Sequence, residues 1–173
     1  MSEQANTEFA EVDLHNIPIL LRRKIEAMLL AHVLEVITER SGREEAEAVI
    51  GETCSRSAIE QGAGLRERNR EEKDRDPTFH DFEAIMPQWR ASGALEIEPL
   101  EVSDEKMDFN VTRCKYSEMY REMGLGDIGH LLSCNRDGDF CIGYNPDMEL
   151  TRTQTIMKGA THCDFRYRMK KEG

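Results

Sequence analysis

"HCDFRYRM", residues 162–169, alternates strictly. Cys163, Phe165, Tyr167 and Met169 fall on one side of an extended chain, and Asp164, Arg166 and Arg168 on the other. A period of two, with one apolar and one charged face, marks a strand that covers a core and meets water. Just upstream, "MELTRTQTIM" (148–157) and "KGAT" (158–161) read as the outgoing strand and the turn of a hairpin, with Gly159 in the turn. The same arrangement occurs earlier. "ALEIEPLEV" (94–102) and "KMDFNVTRC" (106–114) flank "SDE" and form a first hairpin. Between the hairpins, "KYSEMYREMG" (115–124) and "LGDIGHLLSCNRDG" (125–138) read as two short helices, the second weakened by Gly126 and Gly129. The second half therefore reads β-β-α-α-β-β. The expected class is α+β, a helical N-terminal half followed by a four-stranded antiparallel sheet with helices covering one face.

Upstream of the sheet the period is helical. Asp13 or Asn16 can cap a first helix, with Pro18 in its first turn and Gly42 past its end. Ile25, Leu29, His32 and Val36, with Leu21 and Met28 beside them, define its expected inward face, on which His32 is a packed core histidine. Residues 43–61 form a second helix. Ala46, Val49, Ile50, Thr53, Cys54, Ser57 and Ala58 line its inner side, small enough to admit another helix closely and to permit a homo-oligomer. "LRERNREEKDRD" (65–76) is a solvated helix or a mobile connection. "DPTFHDFEAIMPQWRASG" (76–93) restarts a helix after Asp76, places Phe79, Phe82, Met86 and Trp89 in the core, and breaks at Pro87. His80 points away from that stripe. The 173 residues suit one domain, mainly helical over 1–92 and α+β over 93–173, where the chemistry lies.

Composition narrows the function. The formal net charge of −11 repels phosphate backbones and anionic lipid, so neither nucleic acid nor a membrane is an expected partner. "MSEQANTEFAEVD" lacks the basic and apolar parts of a secretory signal, and no apolar run approaches the ~20 residues of a membrane span. A cytoplasmic protein with five reduced cysteines is the expectation. No CxxC pair occurs, so the cysteines make a poor zinc signature, and no metal or other cofactor is expected.

The reactive residues crowd the second half. His130, Cys134 and Asp137 stand at helical spacing, with Asp127 three residues before the histidine. A thiolate, a base and an orienting carboxylate on one face would suit nucleophilic catalysis, and a buried structural cysteine would give the same spacing. Cys114, Cys141, Cys163 and His162 lie nearby in sequence. The order "RCKY" (113–116), "CNRD" (134–137), "GYNP" (143–146), "TRTQTIMKG" (151–159) and "CDFRY" (163–167) resembles the L-2-amino-thiazoline-4-carboxylic acid hydrolase family. The resemblance implies hydrolytic opening of a small carboxylated heterocycle at a cyclic C=N or C–N bond, as in conversion of 2-aminothiazoline-4-carboxylate to N-carbamoyl-cysteine. Cys114, Cys134, Asp137, Arg152, Gly159, Cys163 and Asp164 match its motifs. Cys134 is then the expected nucleophile, with Asp137, His130 and Cys163 in the catalytic group. Arg152 and Arg136 would hold a substrate carboxylate, with Cys114, Asp164 and His162 at the binding site. His130 and His162 lie outside the family pattern. An aspartate-activated water is a variant of the same hydrolase. The alternative is a small-molecule-sensing module of the vinyl-reductase type, which holds a ligand in the same pocket without turnover.

Overall fold

A computed structural model describes residues 17–170. Helix α1 spans Ile19–Ser41 and ends at Gly42, whose φ of 91° is a conformation that favours glycine. The proposed caps Asp13 and Asn16 lie outside the described residues. The inward face of α1 is not the expected one. Ile19, Arg23, Ala27 and Leu34 are buried, whereas Leu21, Ile25, Met28, Leu29 and Val36 are 46–67% exposed. His32 is likewise exposed, 3.5 Å from Glu35, and is no core residue. Both sides of α1 carry apolar residues, so periodicity alone cannot choose between them. The choice falls to fit, because Ala27 lets the neighbouring elements approach closely.

Helix α2 runs from Arg43 to Lys73, without a break at residue 61. Ala46, Ile50, Cys54, Ala58 and Gly62, each four residues from the last, are its buried row. Thr53 and Ser57 face outward, so the inner side is narrower than expected. The charged stretch is a solvated helix whose Arg66 and Arg70 clamp Asp76 at 2.8 and 2.6 Å. Helix α3, Phe79–Ile85, begins at Thr78 with a reciprocal capping box to Asp81. Asp81 is also tied to Lys73 and, at 2.5 Å, to Arg75. Pro87 opens the single-turn helix α4, Pro87–Arg90, so the break falls where the sequence places it.

Strands β1 (Leu95–Val102), β2 (Lys106–Cys114), β3 (Met148–Thr151) and β4 (Cys163–Met169) form one antiparallel sheet in the order β1-β2-β4-β3. Phe109 pairs with Phe165 across β2 and β4, their rings stacked 4.7 Å apart. Cys163, Phe165 and Tyr167 are buried as their alternation requires. Strand β3 stops at Thr151, earlier than the sequence suggests, and Arg152 to His162 form a wide connection. A 3₁₀ turn at Ile156–Lys158 lies within it, closed by Gly159 at φ 96°. The α+β class and the helices on one face of the sheet stand as expected.

Between the hairpins come helix α5, Lys115–Glu122, a π-helical turn at His130–Cys134, and helix α6, Asn135–Tyr144. Helix α6 reaches six residues beyond its expected end at 138. It crosses α2 backbone to backbone: a Cβ on Gly143 would stand 2.0 Å from the Ile59 carbonyl oxygen, and one on Gly62 2.3 Å from that of Phe140. Only glycine fits at either position. One apolar cluster gathers around α1, α2 and α5, and a second between the sheet, α3 and α6. Among the described residues no helix is long and apolar enough to cross a membrane.

Candidate functional site

The two clusters share Trp89, Leu95 and Cys114, which pack against both. Beside that junction lies a cavity open to solvent. Its walls mix aliphatic side chains with the rings of Phe82, Trp89, Phe109, Phe140, Phe165 and Tyr167. Polar groups enter at a few points. The end of β2 supplies Cys114 and the start of β4 Cys163; the π turn supplies Cys134, and the first turn of α6 Arg136 and Asp137. Arg152 enters from the chain just past β3, and Arg23 and Gln61 from α1 and α2.

Arg152 and Asp137 are the centre of this arrangement. The Arg152 guanidinium donates to Asp137 Oδ2 at 2.6 Å and to the Cys134 carbonyl at 2.8 Å, and lies 4.9 Å over the Phe165 ring. Burial pushes the Asp137 carboxyl up from its ordinary range, and the Arg152 charge opposes that rise. Burial works equally against the Arg152 charge, but Asp137 outweighs it and holds the guanidinium firmly protonated. Arg152 is therefore already occupied by a carboxylate of its own chain.

Arg136 differs. It is 8% exposed and donates to the Cys54 carbonyl at 3.2 Å and the Ser57 hydroxyl at 3.4 Å, both neutral groups. No carboxylate lies within 4 Å to form an ion pair with it among the described residues. Burial, and then the nearby Arg23 charge, pull its pKa down. Arg23 itself is held by Glu26 at 2.5 Å and Gln61 at 3.4 Å. A buried cation served only by neutral acceptors is costly unless an anion joins it.

The thiols are set against ionisation. Burial, reinforced by the Asp137 charge, pushes Cys134 up to about 12, with Arg152 opposing. Burial raises Cys114 to about 11, against N–H groups at the start of α5. It also raises Cys163, whose sulfur accepts the Ile156 N–H at 3.2 Å. Cys141 is buried within α6 and donates to the Asp137 carbonyl at 3.5 Å, away from the cavity wall.

The remaining expected residues lie elsewhere. His130 lines a second pocket with Gln154 and Lys158, which Cys134 and Arg152 also border. Asp127 does not orient it but binds Arg43 at 2.5 Å on the surface. His162 is held by the Gln154 amide, 2.8 Å from Nε2. Asp164 accepts the backbone N–H groups of Thr153 and Gln154 at 3.0 and 2.9 Å and so shapes the connection that carries Arg152. Sequence reasoning missed Arg23 and Gln61. Arg23 sits inside "LLRRKI", where one charge in a run of three basic residues reads as surface. It also took Phe82 and Trp89 as filled core rather than cavity wall. Among the described residues no three His, Cys, Asp or Glu side chains gather to hold a metal.

The cavity thus lies between an antiparallel sheet and a helical layer, with an ion-paired carboxylate and free thiols inside. The model of the L-2-amino-thiazoline-4-carboxylic acid hydrolase family matches residues 22–167, and the chain belongs to that family. No curated protein matches the sequence. Among solved structures, the phenol-responsive sensory domain of the transcription activator PoxR, bound to phenol, is similar in fold: TM-score 0.52, 16% identity, covering 83% of this chain and 73% of that one. So is a trafficking protein particle complex subunit 3 from Naegleria fowleri, covalently bound to palmitic acid, with TM-score 0.50, 10% identity, and coverage of 87% and 96%.

Proposed function

We propose that the protein hydrolyses a small carboxylated ring compound bound in this cavity. The observation that carries the reading is the meeting of Asp137, Arg152 and the unpaired Arg136 in one aromatic chamber, in a chain of this hydrolase family. The ring stacks on the aromatic wall. Its carboxylate meets Arg136, which would gain the anion its burial calls for. Asp137, shifted toward the range useful at neutral pH, takes the proton of an attacking water. The water oxygen bonds to the ring carbon and the π pair of its C=N or C=O bond moves to that nitrogen or oxygen; the tetrahedral carbon then re-forms a double bond to oxygen as its bond to the ring heteroatom breaks. The proton held by Asp137 passes to the leaving heteroatom, and the second water proton stays on the former imine nitrogen or on the new carboxyl. Arg152 holds Asp137 in place throughout. Cys134 as the attacking group is less favoured, because its surroundings keep it a thiol.

A second reading is ligand holding without turnover, supported by the aromatic wall and the protonated thiols. A panel of carboxylated five-membered heterocycles separates the two. Ring opening by the wild type should fall on the order of 10²–10⁴-fold in Asp137→Asn. It should also show a raised KM in Arg136→Met. Turnover in Asp137→Asn within a few-fold of wild type would refute the assignment of the base. Tight binding of panel members with no product would leave the holding role.

A further inference from the structure

Among the described residues the outer face of α1 has no partner. Leu21, Ile25, Met28, Leu29 and Val36 are 46–67% exposed there, and exposed His32 completes the row. Their spacing has a symmetry of its own. About the midpoint between Met28 and Leu29, Leu21 mirrors Val36 and Ile25 mirrors His32. A stripe that binds a foreign partner need not be symmetric. A stripe that binds a second copy across a twofold axis sets residue i against j and j against i, so a symmetric spacing keeps apolar against apolar.

We infer that two copies of this chain dimerise through α1, antiparallel, with the twofold axis at Met28 and Leu29. Charge agrees with that register. Lys24 and Glu35 lie on the same edge of the stripe, on opposite sides of the midpoint, and both are exposed. In the antiparallel pair Lys24 comes within two residues, about 3 Å along the helix axis, of level with Glu35 of the partner subunit, within reach of its long side chain, and the contact occurs twice. A parallel pair would set Lys24 beside its own copy. The apolar stripe offers roughly 500 Å² per copy, which its polar rim extends toward the ~800 Å² per partner of a standard interface. The inference is independent of the reaction assigned to the cavity.

Sedimentation equilibrium of the full chain should give twice the chain mass at micromolar concentration. Leu29→Glu sets like charges against each other at the axis and should yield monomers with unchanged circular dichroism and melting temperature at matched dilution. Lys24→Glu and Glu35→Lys should each weaken the dimer by about tenfold, and the double reversal should restore it. A monomeric wild type, a dimer indifferent to Leu29→Glu, or a double reversal no tighter than the singles overturns the inference. So does dimerisation that appears only after residues 1–16 are removed, because the chain's own leading segment would then cover the stripe.

Discussion

The crossing of α2 and α6 makes a demanding test of how packing sets the site. Gly143→Ala places a Cβ 2.0 Å from the Ile59 carbonyl oxygen and 2.7 Å from the Ala63 nitrogen. Ordinary contact begins at 3.4 Å, so the helices must separate by about 1.4 Å. Both obstacles are backbone atoms within a helix and cannot rotate aside. Alanine gains ~1 kcal/mol of helix propensity over glycine. Overpacking costs ~1–3 kcal/mol, and more where backbone must move. A net loss of about 2 kcal/mol follows, a fall of ~4–8 °C in melting temperature for a chain of this size. Helix α6 also carries Arg136 and Asp137, and a shift near 1 Å at catalytic groups costs on the order of 10² in turnover. Gly64→Ala is the control: it lies in α2 with nothing within 4 Å of its would-be Cβ and should stabilise by ~0.5–1 kcal/mol. Calorimetric melts of the two variants, with turnover on the same samples, decide the matter. Equal melting temperatures would show that the helices are not in backbone contact.

Three further outcomes are expected. Burial opposes the Asp81 charge, but Arg75, Lys73 and the Thr78 cap outweigh it and hold the carboxyl well below its ordinary range. Its contribution to stability is therefore present above the unfolded value of ~3.9 and is lost as pH falls toward the folded value; acid titration of Asp81→Asn should show a flatter loss of stability below pH ~4 than wild type. Cys134→Ser should keep turnover per folded molecule within about tenfold if water is the nucleophile, whereas a fall of several orders of magnitude would return the attack to sulfur. His130→Gln, outside the main cavity, should change turnover by no more than a few-fold, and a loss near 10²-fold would place the histidine in proton transfer.

The alternation in residues 163–169 made the sheet readable, because a strand with one buried face writes that face into every second residue. The gathering of Cys114, Cys134, Asp137, Arg152 and Cys163 followed from family motifs on separate elements. Spacing alone could not deliver it, since only the π turn and α6 are contiguous. The face of α1 was illegible because both its sides are apolar, one for the core and one exposed. The roles of the arginines were equally hidden. Arg136 and Arg152 look alike in sequence, and only the fold reveals that Arg152 is satisfied by Asp137 while Arg136 has neutral neighbours. Gly62 and Gly143 gave no signal either, as a glycine inside a helix reads as a weakness until the crossing helix is seen.

The cavity lies beside the junction of the two apolar clusters, so its wall and the hydrophobic core share side chains. Phe82, Phe140 and Tyr167 pack on one another and also face the ligand space. A ring bound there, as proposed, would complete the interior and, by mass action, should raise the melting temperature as its concentration exceeds Kd. The same sharing constrains divergence within such a family. A relative cannot exchange an aromatic wall residue to admit a new ring without also repacking its centre. New specificities should arise most easily at the polar entrants from the helical layer, Arg23 and Gln61, whose replacement alters what is recognised while leaving the aromatic frame and the Arg152–Asp137 pair intact.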